Sequence, residues 1–258
     1  MNEIKSKFPT EIIDLPSEGY FYPPENPLSS GKIELKYMTA KDEDILTSKN
    51  LIQKGIVIDT LLQSLIVSPI NYNDLLIGDK NAILIASRIL AYGKDYEVQI
   101  ACQKCGEKYQ HSVDLTIFNT KDLDKSLFEK GSKIFSYQLQ FSKKTLKLKL
   151  LSHSDEKQID AEIKSMKKIS AQTGIDKEIT TRLRNIIVSV DGDSEVDVIN
   201  RFVNTELLSK DSFELRKFLR HISPDIDLTF NVECQSCGDN SNIQLPLTVD
   251  FFWPTGRE

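Results

Sequence analysis

Hydrophobic and polar positions follow two different periods along the chain. A helical period, with apolar residues three or four positions apart, covers residues 55–66 and 74–93. A proline and a glycine, which commonly end helices, follow these two stretches at Pro69 and Gly93. Another helix is predicted to begin after Thr39, because threonine is a good N-cap and the following turn is acidic.

A period of two predicts short strands elsewhere, at residues 32–38, 96–101, 134–141, 145–151, 186–190 and 228–233. Four further helical stretches are predicted at residues 155–171, 176–184, 194–204 and 211–221. Asp79 is the expected cap of the helix in residues 74–93, and Ser209 or Asp211 the expected cap of the last helix. Together these elements predict an α+β fold in which helices predominate.

All four cysteines fall into two C-x-x-C-G units, one at Cys102 and Cys105 and the other at Cys234 and Cys237. Such a turn presents two thiolates to one ion, and the glycine after it permits the bend that aims backbone N–H groups at sulfur. Two such turns supply the four soft ligands of a closed tetrahedral zinc site. The spacing therefore predicts one structural Zn²⁺ per chain, with iron as the other metal that four thiolates accept.

The alternatives to a metal site are two pairs of free buried thiols or a redox C-x-x-C motif. A thioredoxin-like motif opens a helix after a strand, whereas each unit here lies between strand-like runs. Disulfides are disfavoured in the reducing cytoplasm where we expect the chain to be made. His111 is near enough in sequence to compete as a ligand, but packing on a strand face or exposure to solvent is its expected role. His153 and His221 lie at helix boundaries and are expected on the polar surface.

The sequences around the two cysteine units repeat each other. Alternating residues lead into both first cysteines, and thirteen residues after each comes a similar tripeptide, at 115–117 and at 247–249. Each half is therefore predicted to be strand, knuckle and strand, so that two β-hairpins form a zinc-ribbon-like pair. Because 128 residues separate Cys105 from Cys234, the metal would staple distant parts of the chain, at an entropic cost that grows slowly with loop length.

This arrangement predicts mainly helical domains joined by the pair of hairpins. The predicted ranges are an extended N-terminal arm at 1–31, a mainly helical region at 32–95, zinc-ribbon-like hairpins at 96–118 and 228–253, an inserted α+β domain at 119–227, and a C-terminal tail at 254–258.

Aromatic residues near both ends of the sequence are candidate partner contacts. They are Tyr20, Phe21, Tyr22, Phe251, Phe252 and Trp253. Large aromatic side chains dominate the energetics of many interfaces. The N-terminal group lies among prolines and packs either on its own domain or on a neighbouring subunit. The C-terminal group either anchors a partner or forms an intramolecular lid over the ribbon or the insert.

Composition and charge narrow the classes of function. The chain has 258 residues, 33 Lys and Arg against 38 Asp and Glu, and a formal net charge of −5. This acidic balance argues against binding to nucleic acid or anionic membranes, which a basic surface drives, and leaves only a local basic patch as a route to such binding. The most apolar stretch, at residues 55–68, contains Asp59, Gln63 and Ser64 and is too short to span a membrane. No apolar run follows the N-terminal lysines, so a signal peptide is not expected.

Motifs of the common catalytic sites are absent from the sequence. It has no phosphate-binding G-x-x-x-x-G-K-[ST], no G-x-G-x-x-G, no H-E-x-x-H and no G-x-S-x-G. Four cysteine ligands would also leave a zinc ion without the open position that catalysis needs. A metal-dependent enzyme is therefore the least favoured reading, and no catalytic residues are assigned.

Several separate motifs are familiar in combination. Besides the two cysteine units, they are Leu15-Pro16-Ser17-x-Gly19 with Tyr22-Pro23, Leu35-x-x-Met38-Thr39-Ala40 with Glu43-Asp44-Ile45-Leu46, Leu75-Leu76-x-Gly78-Asp79-Lys80, Ala91-Tyr92-Gly93-x-x-Tyr96, Leu245-Pro246-Leu247 and Asp250-Phe251-Phe252-Trp253-Pro254. This order resembles the T4-like bacteriophage baseplate hub protein family, whose members include a hub subunit and a hub-assembly factor of contractile-tailed phages.

The resemblance implies a late, non-enzymatic protein that helps to build the baseplate hub in the cytoplasm of the infected cell. Its partners would be other baseplate or hub proteins, with homo-oligomerisation left open, and neither nucleic acid nor membrane is expected. Whether it remains in the virion tail or leaves after assembly is also left open. The alternative reading of the cysteine units is a zinc-ribbon nucleic-acid-binding or transcription-associated protein.

Overall fold

The N-terminal segment folds back on the rest of the chain in a computed structural model that describes residues 9–170, 177–247 and 249–252. Strand β1 (Thr10–Asp14) pairs antiparallel with strand β2 (Lys32–Lys36). The loop between them ends on a 3₁₀ turn, Pro27–Ser30, and is closed by the Leu15 N–H, which donates to the Gly31 carbonyl at 2.8 Å. The proline-rich segment therefore packs on its own chain.

Four α-helices follow this first sheet. They are α1 (Ala40–Thr47), α2 (Lys49–Lys54), α3 (Val57–Leu65) and α4 (Ile77–Tyr92). The predicted start at Thr39 is confirmed, because its backbone N–H donates to the Asp42 carboxylate at 3.0 Å in a capping box. Gly93 directly follows α4, so the predicted helix end is confirmed, but its φ of 86° and ψ of 175° are an extended positive-φ conformation open to glycine and not the left-handed cap.

Two antiparallel hairpins carry the cysteine units. The first consists of β3 (Asp95–Ala101) and β4 (Lys108–Asp114), and the second of β8 (Thr229–Glu233) and β9 (Asn240–Gln244). The predicted order of strand, knuckle and strand is confirmed in both halves, but the first repeated tripeptide lies beyond the strand, because Leu115–Ile117 forms a 3₁₀ turn after β4. The second tripeptide follows the end of β9, and its central residue lies outside the described part of the chain.

Between the hairpins, the residues that the structure describes form a three-stranded antiparallel sheet and four α-helices. The sheet has the order β5-β6-β7, with β5 (Ile134–Gln138), β6 (Thr145–Lys149) and β7 (Ile187–Val190). The helices are α5 (His153–Ser170), α6 (Glu178–Ile186), α7 (Val196–Arg201), which continues as a π-helical turn at Phe202–Glu206, and α8 (Ser209–Ile222). The α+β fold class is confirmed.

Buried apolar side chains form one continuous cluster. It includes residues from the N-terminal loop, from α3 and α4, from the three-stranded sheet and from both hairpins. Gly78 marks a close approach within this packing, because a Cβ atom there would lie 1.7 Å from the Pro224 carbonyl oxygen. The division of the chain into the ranges given above stays a prediction. Among the described helices, none has the length and apolar character needed to cross a membrane.

Two predicted helix caps are wrong, and in both cases the aspartate binds a distant loop instead. Asp79 lies in the first turn of α4, where its carboxylate accepts the Ser17 N–H at 2.9 Å and the Tyr22 hydroxyl at 2.6 Å. Asp211 lies in the first turn of α8 and accepts the backbone N–H groups of Phe141 and Ser142, both at 2.9 Å. Each carboxylate is itself buried and accepts hydrogen bonds from a loop that is distant in sequence.

His153 also departs from its predicted surface position. It is buried, with its ring 4.7 Å from the Tyr72 ring and its Nε2 atom 3.5 Å from an Asp59 oxygen. Lys80 completes this group through an ion pair with Asp59 at 2.6 Å. The cluster joins α3, α4 and the start of α5. His221, by contrast, is exposed as predicted.

The start of α5 gives a stability prediction with a defined pH dependence. Burial would raise the pKa of Asp155, but hydrogen bonds from Lys149 and Ser152 outweigh it and lower the pKa from 3.8 to about 2. The carboxylate therefore stabilises the fold above the unfolded pKa, and this contribution is lost as the pH falls through the folded pKa. The difference corresponds to about 2 kcal/mol.

We expect Asp155→Asn to lower the free energy of unfolding by about 2 kcal/mol at neutral pH. Chemical denaturation at a series of pH values would measure this loss, which should shrink as the pH falls from 4 towards 2. Asp160→Asn, on the exposed face of the same helix, is the matched control and should show little change. A loss that is the same at all pH values would contradict the assigned role of the Asp155 charge.

Candidate metal centre

Each cysteine unit folds into a tight turn whose shape depends on its glycine. The Gly106 N–H donates to the Cys102 carbonyl at 2.9 Å, and the Gly238 N–H donates to the Cys234 carbonyl at 2.8 Å. These glycines have φ of 77° and 67°, in the left-handed region that side chains disfavour. The two turns thus share the same hydrogen bond and the same glycine conformation. Each turn therefore holds its two thiols on one side.

The two turns bring all four thiols together from opposite ends of a 136-residue stretch, 102–237. The sulfur atoms of Cys102, Cys105, Cys234 and Cys237 all lie within 4.8 Å of one another. Across the two hairpins, Cys102 Sγ lies 3.7 Å from Cys237 Sγ, and Cys105 Sγ lies 3.7 Å from Cys234 Sγ.

These distances fit a metal better than a disulfide. A tetrahedral ion with Zn–S bonds of 2.3 Å has sulfur–sulfur edges of about 3.8 Å. A disulfide needs about 2.0 Å, and all four cysteines are free. Among the described residues, no other group of histidine, cysteine and carboxylate side chains has a comparable geometry. The four predicted ligands are therefore arranged to hold a metal ion.

Electrostatics within the cluster also favour a cation. Backbone N–H groups of Cys105 and Lys104 lower the pKa of Cys102 to about 7. The Asp239 N–H acts in the same direction on Cys237, but desolvation and the neighbouring thiols prevail and raise its pKa to about 12. One thiolate is stabilised by the turn, whereas further thiolates repel it at these distances. A divalent cation would remove this repulsion and hold all four in the deprotonated form.

The centre lies at the tip of the paired hairpins. Cys102 and Cys234 are buried, whereas Cys105 and Cys237 are exposed. Lys104 and Asp239 form an ion pair across the two units at 3.5 Å. His111 is not among the clustered ligands: its ring stacks on Phe230 at 5.9 Å with an interplanar angle of 8°. In the structure, His111 therefore packs on the strand face and is not a metal ligand.

The aromatic candidates for partner contact are mostly buried within the chain itself. Phe21, Phe251 and Phe252 are at most 2% exposed. Tyr22 is 6% exposed within the core cluster, and its buried hydroxyl donates to Asp79. Tyr20 is half-buried, and its hydroxyl donates to the Phe128 carbonyl at 3.2 Å. The four buried side chains present no surface to a partner in this conformation. Trp253 lies outside the described residues, and its partner contact stays a prediction.

Arg88 holds the C-terminal segment against α4, a role that its sequence context did not reveal. Its Nε donates to the Phe251 carbonyl at 3.1 Å and its Nη1 to the Gly93 carbonyl at 3.2 Å. The guanidinium also lies over the rings of Tyr92 and Tyr96, 4.9 and 5.8 Å from their centroids. Burial lowers the pKa of Arg88, so these contacts compensate for a desolvated charge.

We expect Arg88→Met to lower the free energy of unfolding by about 1–3 kcal/mol, because charged hydrogen bonds to two carbonyls are lost while the aliphatic volume is kept. Urea denaturation would measure the change. Arg201→Met is the matched control, because the Arg201 side chain is 66% exposed and forms a surface ion pair with Glu206 at 3.2 Å. Equal effects of the two substitutions would show that Arg88 does not hold the C-terminal segment.

Comparison with known proteins identifies the family. The family described as T4 bacteriophage base plate protein matches residues 19–253, which is most of the chain. The chain belongs to this family. No curated protein and no solved structure gives a significant match to this baseplate protein.

Sequence motifs that resemble the baseplate hub family contact one another in the folded structure of this baseplate protein. Ser17 and Tyr22 of the N-terminal motif bind Asp79 of the Leu75–Lys80 motif through a buried hydrogen-bond group. Tyr22 also accepts the Leu76 N–H at 2.9 Å, which satisfies one of the free donors at the start of α4. The C-terminal motif reaches the same helix through Arg88. Residues far apart in sequence thus support one helix.

Proposed function

We propose that this baseplate protein is a non-enzymatic structural or assembly component of the baseplate hub of a contractile tail. The family match across residues 19–253 carries the proposal. The hub assignment is supported further by the order of motifs from Leu15-Pro16-Ser17 to the final Phe251-Phe252-Trp253-Pro254. The protein would act in the host cytoplasm during assembly and contact other baseplate proteins there, with the finished tail as a further location.

We infer that the four cysteines hold one structural Zn²⁺ per chain. Four thiolates saturate a tetrahedral ion and leave no position for substrate or water. Soft sulfur ligands in two knuckles suit zinc, and iron is the competing metal. The metal would fix the two hairpins to each other and so close the long stretch of chain between them. We assign no catalytic role to this ion.

Protein contacts fit the surface better than nucleic-acid contacts do. The net charge of −5 disfavours an electrostatic approach to a phosphate backbone. Several large apolar side chains are exposed among the described residues, including Ile12 at 65%, Val196 at 69% and Phe213 at 54%. Side chains of this kind contribute to the apolar centres of protein interfaces. Homo-oligomerisation would use the same type of surface.

Co-purification from infected cells tests the proposed function. The tagged chain should capture tail proteins of its own phage, and analysis of finished virions should show whether it remains there. A titration with DNA and RNA at low salt provides the opposing measurement. Tight, salt-sensitive binding to nucleic acid without capture of tail proteins would overturn the baseplate-hub proposal and favour a zinc-ribbon nucleic-acid-binding protein.

A further inference from the structure

Helix α8 separates buried and exposed residues onto opposite faces. Asp211, Leu215 and Ile222 are buried on one face. Successive residues of an α-helix are rotated by about 100°, and the exposed residues that follow the first position of α8 fall within an arc of about 100° on the other face. These residues, here called the α8 stripe, are Lys210, Phe213, Lys217, Arg220 and His221. The stripe runs for about 16 Å along the helix.

The α8 stripe contains two lysines and an arginine but no acidic residue. Among the residues that the structure describes, no carboxylate forms an ion pair with Lys210, Lys217 or Arg220, whereas both arginines of α6 pair with glutamates. The acids of α8 itself lie elsewhere, because Asp211 is buried and Glu214 is half-buried at the margin of the stripe. The stripe thus offers three cations whose charge no described carboxylate neutralises.

Large apolar side chains are exposed at the start of the α8 stripe. Phe213, within the stripe, is 54% exposed, and Leu208, directly before α8, is 52% exposed. Phe141 is 48% exposed, and the centre of its ring lies 5.1 Å from the Lys210 Nζ atom. Aromatic side chains are enriched in protein interfaces compared with the rest of the surface. Their exposure beside unpaired cations indicates a surface that another molecule covers.

The loop that carries Phe141 is fixed to α8. The buried Asp211 carboxylate accepts the backbone N–H groups of Phe141 and Ser142, both at 2.9 Å. Lys143, the next residue, has φ of 59°, a left-handed conformation that few non-glycine residues adopt. Strain of this kind persists where the surrounding structure holds the backbone in place. Phe141 is therefore already ordered beside the stripe, which lowers the entropic cost of binding through it.

We propose that the α8 stripe, together with Phe141 and Leu208, binds an acidic segment of another baseplate protein. The partner places carboxylates opposite the three cations and an apolar recess over the aromatic rings. Electrostatic complementarity then guides the approach and sets the orientation, while the buried aromatic side chains contribute most of the affinity. This inference rests on the proposed function, because it names the chemistry of a partner within the baseplate.

Nucleic acid fits this surface less well than an acidic protein does. Three cations neutralise about three phosphates, and the salt-dependent affinity for nucleic acid grows with that number. The net charge of −5 repels a phosphate backbone as the two molecules approach. Leu208 and the two phenylalanines instead match an apolar recess, which a folded protein supplies.

Direct binding of the intact, purified chain to each recombinant tail protein of its phage tests the inference by calorimetry. We expect one tail protein with an acidic surface to bind, with an affinity that falls as salt is raised. Lys217→Glu combined with Arg220→Glu should weaken this binding by more than about tenfold, because it places like charges opposite the partner's carboxylates. Phe213→Ala should weaken it by about fivefold or more through the loss of an aromatic anchor.

Lys49→Glu combined with Lys54→Glu is the matched control. It makes the same change in net charge on exposed residues of α2 and should alter the affinity by less than about twofold, because distant surface charges are screened. Circular dichroism and thermal unfolding verify that each variant is folded. If the combined α8 substitution unfolds the chain, Phe213→Ala, at an exposed position, decides by itself.

Three outcomes would overturn the inference. A tail protein that binds the chain and both α8 variants equally well would exclude the α8 stripe as its docking surface and leave the hub proposal intact. Binding of none of the purified tail proteins would also exclude it, and the co-purification from infected cells would then decide the hub proposal separately. Salt-sensitive binding of a single-stranded DNA or RNA oligonucleotide, abolished by the combined α8 substitution, would assign the stripe to nucleic acid instead.

Discussion

Replacing Cys102 by serine will remove most of the stability of the folded chain and abolish stoichiometric metal binding. Structural zinc sites in small domains contribute about 10–16 kcal/mol of binding free energy at neutral pH, and a whole domain is stable by only about 5–15 kcal/mol. Serine keeps the size of the side chain but replaces a soft thiolate with a hydroxyl. A chelator added to the unsubstituted chain should have a similar effect.

Metal analysis and thermal unfolding with and without chelator measure these effects. Ser236→Ala is the matched control, because Ser236 is exposed and lies between the two cysteines of the second knuckle. It should leave metal content and melting temperature unchanged. Well under one metal ion per chain, or a melting temperature insensitive to both the chelator and Cys102→Ser, would contradict the assignment of a structural metal. Absorption in the visible range would distinguish iron from zinc.

Replacing Asp79 by alanine will lower the free energy of unfolding by about 2–6 kcal/mol. Asp79 is fully buried, and its loss leaves the Ser17 N–H and the Tyr22 hydroxyl without an acceptor. Each buried donor left unsatisfied costs about 1–3 kcal/mol. Burial also raises the pKa of Asp79, so the folded state binds its proton more tightly than the unfolded state does. This carboxyl therefore disfavours folding as the pH rises through its folded pKa.

Urea denaturation of Asp79→Ala at a series of pH values measures this loss, which should shrink as the pH rises through the folded pKa of Asp79. Tyr22→Phe separates the part of the loss that depends on the hydroxyl. Removing only the hydroxyl leaves Asp79 with the Ser17 N–H and leaves the Leu76 N–H unsatisfied, so we expect a loss of about 1–3 kcal/mol. Asp160→Ala, at an exposed position, is the control. A loss below that of Tyr22→Phe would show that Asp79 does not organise the buried group.

The sequence predicted the hairpins and the ligand set because both depend on local signals. A C-x-x-C-G unit specifies its own turn, and the glycine after each second cysteine requires the positive φ that the structure has. Alternation of apolar residues specifies which side of β3 and β8 faces inwards. Two nearly identical units with no other cysteine then leave a single way to combine four thiols.

The roles of Asp79, Asp211 and His153 could not be predicted, because their partners lie far away in sequence. An aspartate in the first turn of a helix is usually a cap or a favourable charge, and nothing nearby in sequence indicates that a loop 62 residues away takes its oxygens. His153 likewise owes its burial to Tyr72 and Asp59. The first repeated tripeptide misled for the opposite reason, since its β-branched residues Thr116 and Ile117 favour strands while the chain forms a 3₁₀ turn there.

The separation of the two knuckles also sets the order of events during synthesis. Cys102 and Cys105 leave the ribosome 132 positions ahead of Cys234 and Cys237. At about 5–20 residues per second, the first pair waits on the order of ten seconds for the second. During that interval only two of the four thiol ligands are available, both on the first hairpin, while β5, β6 and the helices after them emerge. The four-thiol centre is thus completed after most of the chain has emerged, and it closes around structure that has already had time to form.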